Sequence, residues 1–133
     1  DYNMGNLASV KNGLRAIGKE VEIVSKPELL QNYDKLILPG VGAYGDAMEH
    51  LKNFDLEDAI KDYAKTGRYM MGICLGMQLL FDSSNEFGKH NGLGLLDGKV
   101  EAFDKSKFNV ALKVPHMGWN QIEFKKNFAL FSD

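Results

Sequence analysis

Length, composition and charge exclude several classes of protein for this chain. Its 133 residues and 14.9 kDa fit a single domain over 1–133, long enough to bury a core without disulfides. A net charge of -2 and a pI of about 5.9 argue against a nucleic-acid binder, which needs a basic face. No apolar run is long enough to span a membrane, and the single cysteine is typical of a reducing, cytoplasmic location.

Predicted strands and helices alternate along the first part of the chain. Apolar residues at helical spacing predict helices, and continuous apolar runs predict buried strands. The predicted helices cover 6–17, 27–30, 43–51, 56–64 and 75–81. The predicted strands cover 21–24, 36–38 and 69–73. This alternation favours an α/β fold with a mostly parallel sheet flanked by helices.

The later part of the chain has a different pattern. Serine, asparagine and glycine are frequent over 82–96, which predicts a loop. Short strands are predicted over 99–103, 110–114 and 121–124, as an antiparallel ribbon added to the α/β fold. Because the chain opens on D-Y-N-M-G-N, which is typical of the end of a strand, we expect the first strand of the sheet to be missing.

The segment G-I-C-L-G, with Cys74 at its centre, lies between a predicted strand and a predicted helix. This is the pattern of a nucleophile elbow, in which a tight turn lifts the reactive side chain clear of the sheet. The helix beginning at Leu75 would direct the positive end of its dipole at the sulfur, and the Leu75 N–H could donate to an oxyanion. A buried structural cysteine is the ordinary alternative.

A second glycine-rich turn, P-G-V-G over 39–42, follows the predicted strand over 36–38. Loops at the carboxyl ends of parallel strands lie on one edge of the sheet, so this turn and Cys74 can meet. Gly40 and Gly42 would let the backbone turn the Val41 N–H towards an oxyanion as a second donor. A plain strand-to-helix turn is the alternative for this segment.

Several segments together resemble a known family. G-I-C-L-G-M-Q over 72–78 and P-G-V-G over 39–42 resemble the nucleophile segment and oxyanion strand of class I glutamine amidotransferases, which have a flavodoxin-like fold. D-Y-N-M-G-N-L at the start, G-L-G-L-L-D-G-K-V from Gly92 and P-H-M-G-W-N from Pro115 are similar to the glutaminase subunit of imidazole glycerol phosphate synthase. The similarity runs from Asp1 to about Phe124.

The resemblance implies a Cys-His-Glu triad with Cys74 as the nucleophile that releases ammonia from L-glutamine. Gly40, Gly42, Gln78 and Glu86 match positions that hold the substrate in the family. The triad histidine and glutamate of the family lie beyond the ribbon, so we expect them, and the C-terminal part that carries them, to be missing from this chain. No cofactor is implied.

The histidines of this chain do not match the triad base. His50, His90 and His116 are all assigned ordinary packing or surface roles. Neither histidines nor carboxylates cluster at ligand spacing around the single cysteine, so no metal site is predicted.

The resemblance also implies a partner. In the family, ammonia passes to a cyclase subunit with a (β/α)8 barrel, which makes imidazole glycerol phosphate in histidine biosynthesis. Asn6, Met117, Trp119 and Asn120 match segments that face this subunit in the heterodimer. An exposed tryptophan suits an interface, although it could equally belong to a small satellite core.

Three other functions stay open at this stage. A related amidotransferase could feed ammonia to the synthesis of surface-polysaccharide sugars. An amidotransferase-like module without activity could regulate a partner, which the missing histidine and glutamate would favour. Another enzyme with a cysteine elbow is the third, although the segments P-G-V-G and P-H-M-G-W-N argue against it.

Overall fold

The computed structural model describes residues 1–110, 113–115, 117–121, 123 and 125. The chain divides into two compact units, Asp1–Ala102 and Phe103–Asp133. The sequence-based expectation of one domain over 1–133 stays a prediction.

The helices of the first unit begin and end where local chemistry favours it. They are α1 (Leu7–Ala16), a 3₁₀ helix (Pro27–Asn32), α2 (Tyr44–Asn53), α3 (Leu56–Lys65) and α4 (Leu75–Gln78). The side chain of Asn6 caps α1 by accepting a hydrogen bond from the Ser9 N–H at 3.2 Å. Gly18 and Gly67 follow α1 and α3 with φ of 71° and 74°, a conformation that favours glycine.

The strands of the first unit form two small sheets. Strands β1 (Lys35–Gly40) and β2 (Tyr69–Cys74) are parallel, and their register pairs Leu38 with Gly72 and Gly40 with Cys74. Strands β3 (Phe81–Ser84), β4 (His90–Asn91) and β5 (Leu96–Val100) form the second sheet in the order β4-β3-β5. β3 is parallel to β5 and antiparallel to β4. The predicted α/β fold with a mostly parallel sheet is confirmed.

The hydrophobic core is formed largely by β1, the helices that follow it and the segment that follows Cys74. Its buried residues come from the start of the chain, β1, the helices α2 to α4 and the chain up to Leu93. They include Leu38, Tyr44, Leu51, Ile60, Tyr63, Leu75, Leu79 and Leu93. Helix α1 contributes no fully buried residue, so its apolar stripe packs only partly against the rest of the unit.

Two predictions of regular structure in the first unit are wrong. Residues 21–24 are not a strand, since a strand needs a paired neighbour and neither sheet of the described residues includes them. The helix predicted over 75–81 ends at Gln78. Phe81 instead enters β3 and pairs with Leu96, since short apolar runs suit either structure and tertiary pairing decides between them.

The segment predicted as a loop over 82–96 contains strands. Ser83 and Ser84 of β3 pair with Asn91 and His90 of β4. The sequence lacks the apolar alternation that normally marks a strand, because most of these side chains face solvent. The backbone ladder, which any residue can supply, holds this hairpin together.

The predicted antiparallel ribbon is not seen among the described residues of 99–124. Lys99 and Val100 end β5, which runs parallel to β3. The second unit has a short 3₁₀ helix, Lys105–Lys107, in which the Asp104 carboxylate accepts from the Ser106 N–H at 3.0 Å. The described residues of 110–114 and 121–124 are not in strands. Residues 111, 112, 122 and 124 lie outside the described part.

Candidate active site

Cys74 stands on a strained turn between β2 and α4. It has φ of 56° and ψ of -119°, and its side chain is exposed. A residue other than glycine in such a conformation costs roughly 1–3 kcal/mol, so the surrounding structure must hold it there. This strain and exposure are the geometry expected of a nucleophile elbow.

The two glycines of the elbow are required by the backbone around them. A Cβ on Gly72 would lie 2.4 Å from the Met77 Cα, and one on Gly76 would lie 1.9 Å from the Leu38 carbonyl oxygen. Both contacts are with backbone, which cannot swing aside as a side chain could. Helix α4 therefore packs directly on β1 and β2.

The P-G-V-G turn meets the elbow at one edge of the sheet. Gly40, the last residue of β1, is the register partner of Cys74. A Cβ on Gly40 would lie 2.6 Å from the Gly76 nitrogen and 2.7 Å from the Tyr2 hydroxyl. The backbones of the two turns are therefore so close that a side chain at Gly40 would not fit between them.

The Val41 N–H is already bonded and cannot donate towards the elbow. It donates a hydrogen bond of 2.8 Å to the Met4 carbonyl. Gly42, with φ of 96°, follows it, and a Cβ there would lie 2.9 Å from the Met4 methyl carbon. Before Val41 could donate to an oxyanion, the Gly40–Val41 peptide would have to leave Met4.

The segment Tyr2–Gly5 packs on the P-G-V-G turn, which the sequence did not predict. The buried Tyr2 hydroxyl donates to the Pro39 carbonyl at 2.7 Å. Nδ1 of His50 lies 3.1 Å from the Tyr2 carbonyl, and the His50 ring stacks on Phe54. The segment D-Y-N-M-G-N, typical of the end of a strand, was the available signal, but the partner of Tyr2 is distant in sequence.

Helix α4 is a single turn, shorter than predicted. Leu75 is buried at its start, and the half-buried Gln78 is its last residue. A turn of this length has a small dipole, so the expected electrostatic effect on Cys74 reduces to the local N–H groups of the first turn. The Leu75 N–H is one of these groups, since the first N–H groups of a helix lack partners within it.

Glu86 lies just after β3 and contacts the start of α2. Its carboxylate accepts a 2.8 Å hydrogen bond from the Tyr44 N–H, which begins that helix. Tyr44 follows the P-G-V-G turn by two residues, so Glu86 ties the second sheet to that turn. The residue as a whole is exposed.

Neither described histidine is bonded to the thiol. Among the residues that the structure describes, His50 and His90 make no hydrogen bond to Cys74; His50 contacts Tyr2, and the His90 ring packs beside Gly45. His116 lies outside the described residues. Within the described ranges, no three His, Cys, Asp or Glu side chains cluster to hold a metal ion. No helix in those ranges is long and apolar enough to cross a membrane.

The predicted partner-facing residues lie in both units. Asn6 is exposed and caps α1. Met117 and Trp119 of the second unit are almost fully exposed, with relative accessibilities of 84% and 104%. Trp119 is therefore not part of a satellite core. Asn120 is described as well and is exposed.

Comparisons with known proteins point in one direction. Residues 3–124 match the family described as the CobB/CobQ-like glutamine amidotransferase domain. A crystal structure of a glutamine amidotransferase is similar with a TM-score of 0.65 and 26% identity, over 77% of this chain and 56% of that one.

Curated relatives are more similar in sequence to this chain than the amidotransferase of known structure is. The imidazole glycerol phosphate synthase subunit HisH of Sulfurimonas denitrificans is 60% identical over 131 residues, covering 98% of this chain and 63% of the relative. The proteins of the same name from Wolinella succinogenes and Bacillus subtilis are 52% and 47% identical, and each is also covered over 63% of its length. The chain therefore spans less than two thirds of the length of these relatives.

Proposed function

We propose that this chain, which belongs to the family of CobB/CobQ-like glutamine amidotransferase domains, is part of a glutaminase that supplies ammonia to a partner enzyme. The observation that carries the proposal is the strained, exposed Cys74 beside the P-G-V-G turn. A thiol held in this way is poised to attack a carbonyl, and a second backbone turn at the same edge suits stabilisation of the resulting oxyanion.

The proposed reaction starts with Cys74. Its thiol gives its proton to the general base, the sulfur attacks the side-chain amide carbon of glutamine, and the carbonyl oxygen takes up negative charge in the tetrahedral intermediate. The C–N bond then breaks, ammonia leaves with a proton from the general acid, and a glutamyl thioester remains on the sulfur. Water hydrolyses the thioester to glutamate and restores the thiol.

Two backbone N–H groups are proposed to hold the oxyanion. The Leu75 N–H is in place at the start of α4. The Val41 N–H becomes available only when its hydrogen bond to the Met4 carbonyl is broken. We infer that this bond keeps the free glutaminase slow and that partner binding near Asn6, two residues from Met4, releases it.

Substrate contacts are assigned to the surrounding side chains. Gln78 is four residues from Cys74 and one helical turn away, so it can reach the same ligand. The exposed carboxylate of Glu86 suits the ammonium group of glutamine electrostatically. The backbone of Gly40 and Gly42 shapes the floor of the site, where any side chain would intrude or strain the turn.

The general base is proposed to come from outside the 133 residues. Neither His50 nor His90 is hydrogen-bonded to Cys74, and the relatives are longer than the aligned chain. We infer that a histidine and a glutamate in the remaining length complete the triad with Cys74. A whole gene product lacking both, by sequencing and intact mass, would contradict this inference.

The partner is proposed to be a cyclase subunit with a (β/α)8 barrel, which uses the ammonia to make imidazole glycerol phosphate in the cytoplasm. The support is the name, imidazole glycerol phosphate synthase subunit HisH, shared by the relatives at 47–60% identity. Exposed Met117 and Trp119 have the apolar character of interface anchors.

The experiment measures glutamate release by the whole gene product in three states: alone, with the cyclase, and with the cyclase plus its phosphorylated ribulosyl imidazole ligand. Cys74→Ala is the control. Activity that depends on the liganded cyclase and disappears in Cys74→Ala supports the proposal. Hydrolysis that is indifferent to the cyclase indicates an amidotransferase of another pathway, and no hydrolysis in any state indicates a regulatory module.

A further inference from the structure

We propose that Tyr2 is a positioning residue for the oxyanion turn: its hydroxyl fixes the Pro39–Gly40 peptide, so that only the next peptide, Gly40–Val41, reorients. This inference rests on the proposed glutaminase function. It assigns a role in that function to a side chain that touches neither the thiol nor the substrate.

The first support is the hydrogen bond of Tyr2. The hydroxyl donates to the Pro39 carbonyl at 2.7 Å, and the side chain is only 3% exposed. Burial raises the pKa of Tyr2 to about 12. The hydroxyl therefore stays protonated, and remains a donor, throughout the neutral and mildly alkaline range.

The second support is that Tyr2 is itself held. The tautomer of His50 with a proton on Nδ1 donates to the Tyr2 carbonyl at 3.1 Å, from the last turn of α2. Stacking on Phe54 fixes the imidazole ring. Tyr2 is thus connected to a helix that contributes four residues to the core, and its hydroxyl is a rigid donor.

The third support is the contrast between two successive peptides. The Pro39 carbonyl is held by a buried hydroxyl, whereas the Val41 N–H is held by the Met4 carbonyl at a half-exposed residue. A hydrogen bond near solvent is replaced more readily than a buried one, because water competes for its partners. The Val41 bond is therefore the one that opens.

The turn has a flexible joint on its far side as well. Gly42 has φ of 96°, where glycine adapts more freely than other residues. With Tyr2 fixing one end and Gly42 yielding at the other, rotation is confined to the Gly40–Val41 peptide. Loss of the Tyr2 hydroxyl would leave the partly buried Pro39 carbonyl without its donor, and the Pro39–Gly40 peptide would tilt to find another.

The test compares Tyr2→Phe with Tyr63→Phe in the whole gene product bound to the liganded cyclase. Tyr63 is a matched control, since it is 0% exposed and its hydroxyl also donates to a backbone carbonyl, that of Tyr33 at 3.2 Å. Both variants keep the aromatic ring. The readouts are kcat and KM for glutamine hydrolysis, the melting temperature, and the rate at which iodoacetamide alkylates Cys74.

We expect Tyr2→Phe to lower kcat about tenfold or more, because a misplaced oxyanion donor loses much of its effect. The KM and the Cys74 alkylation rate of Tyr2→Phe should stay within twofold of the wild-type values. The kcat and KM of Tyr63→Phe should also stay within twofold of the wild type. Unchanged kcat in Tyr2→Phe would overturn the proposal, and so would equal losses of kcat in both variants. An inactive wild-type complex would instead overturn the glutaminase function on which the proposal rests.

Discussion

At the scale of single residues, the elbow depends on glycine, whose lack of a side chain leaves room for the neighbouring backbone. Gly76 is buried, and its missing side chain allows α4 to lie directly on the β1 carbonyl of Leu38. Cys74 accepts a backbone strain of a few kcal/mol because the paired strands on one side and α4 on the other leave it no alternative. The exposure of Cys74 and the packing of the elbow are therefore determined by the same few residues.

Gly76→Ala should destabilise the fold strongly, because its Cβ would lie 1.9 Å from the Leu38 oxygen and the strand would have to move. We expect a loss of about 1–3 kcal/mol or more in the free energy of unfolding, measured by urea denaturation of the whole gene product.

The matched variant for this prediction is Gly13→Ala. Gly13 lies within α1, and a Cβ there meets nothing within 4 Å. This substitution should raise the stability by about 0.4–1 kcal/mol, since alanine is the better helix former and restricts the unfolded chain. Equal stability of the two variants would contradict the close packing described at Gly76.

At the scale of secondary structure elements, Glu86 connects the end of β3 to the start of α2. Its carboxylate satisfies the Tyr44 N–H and places negative charge at the positive end of that helix. The same side chain is proposed to bind the ammonium group of glutamine. These structural and functional roles can be separated, because a hydrogen-bond acceptor serves the first and charge serves the second.

Glu86→Gln keeps an oxygen acceptor for Tyr44 and removes the charge. We expect the KM for glutamine to rise about tenfold, with a stability loss below about 1 kcal/mol. Glu86→Ala should raise KM similarly and lose about 1 kcal/mol of stability through the missing cap. Glu49→Gln, on the exposed face of α2, is the charge control. Unchanged KM in Glu86→Gln would remove Glu86 from the substrate site.

Sequence reasoning identified the elements whose signals are local. The strand-turn-helix around Cys74, the P-G-V-G turn and the helices α2 and α3 follow from glycine placement and apolar spacing. The strands β3 and β4 were missed because their polar residues carry no alternation, and their structure depends on a backbone ladder that side-chain patterns do not reveal. The Tyr2 and Met4 contacts were missed for a different reason, since each joins residues more than thirty positions apart.

At the scale of the whole molecule, the first unit brings the exposed Cys74 and the P-G-V-G turn to one edge of the sheet, and neither His50 nor His90 is hydrogen-bonded to Cys74. The Val41 N–H, which we propose as one oxyanion donor, is hydrogen-bonded to the Met4 carbonyl instead. A glutaminase in this state would hydrolyse glutamine slowly until its partner binds, which would prevent ammonia from being released without an acceptor.

Stability at high pH should depend on Tyr2. Its pKa is raised by burial from 10.0 to about 12 in the folded protein. Below pH 10 the hydroxyl is neutral in both states, so its contribution is fully present. Above pH 10 the unfolded chain loses the proton first, and stability falls by up to about 2–3 kcal/mol as the pH rises through 12.

Urea denaturation of the wild type and Tyr2→Phe between pH 8 and about 11.5 tests this sign. Phenylalanine has no proton to lose, so the variant should show the shallower decline. A decline that is equally steep in both proteins would show that Tyr2 titrates as an ordinary exposed tyrosine. It would also contradict the buried hydroxyl on which the positioning role depends.

The central claim is that Cys74 is the nucleophile. Its most direct test is to identify the residue that attacks the amide carbon of glutamine. A glutamine analogue with a diazoketone in place of the amide alkylates the nucleophile irreversibly, and peptide mass spectrometry locates the adduct. In the whole gene product with its liganded cyclase, we expect the adduct on Cys74 and protection by excess glutamine. An adduct on another residue, or an unmodified Cys74 in a complex that hydrolyses glutamine, would contradict Cys74 as the nucleophile.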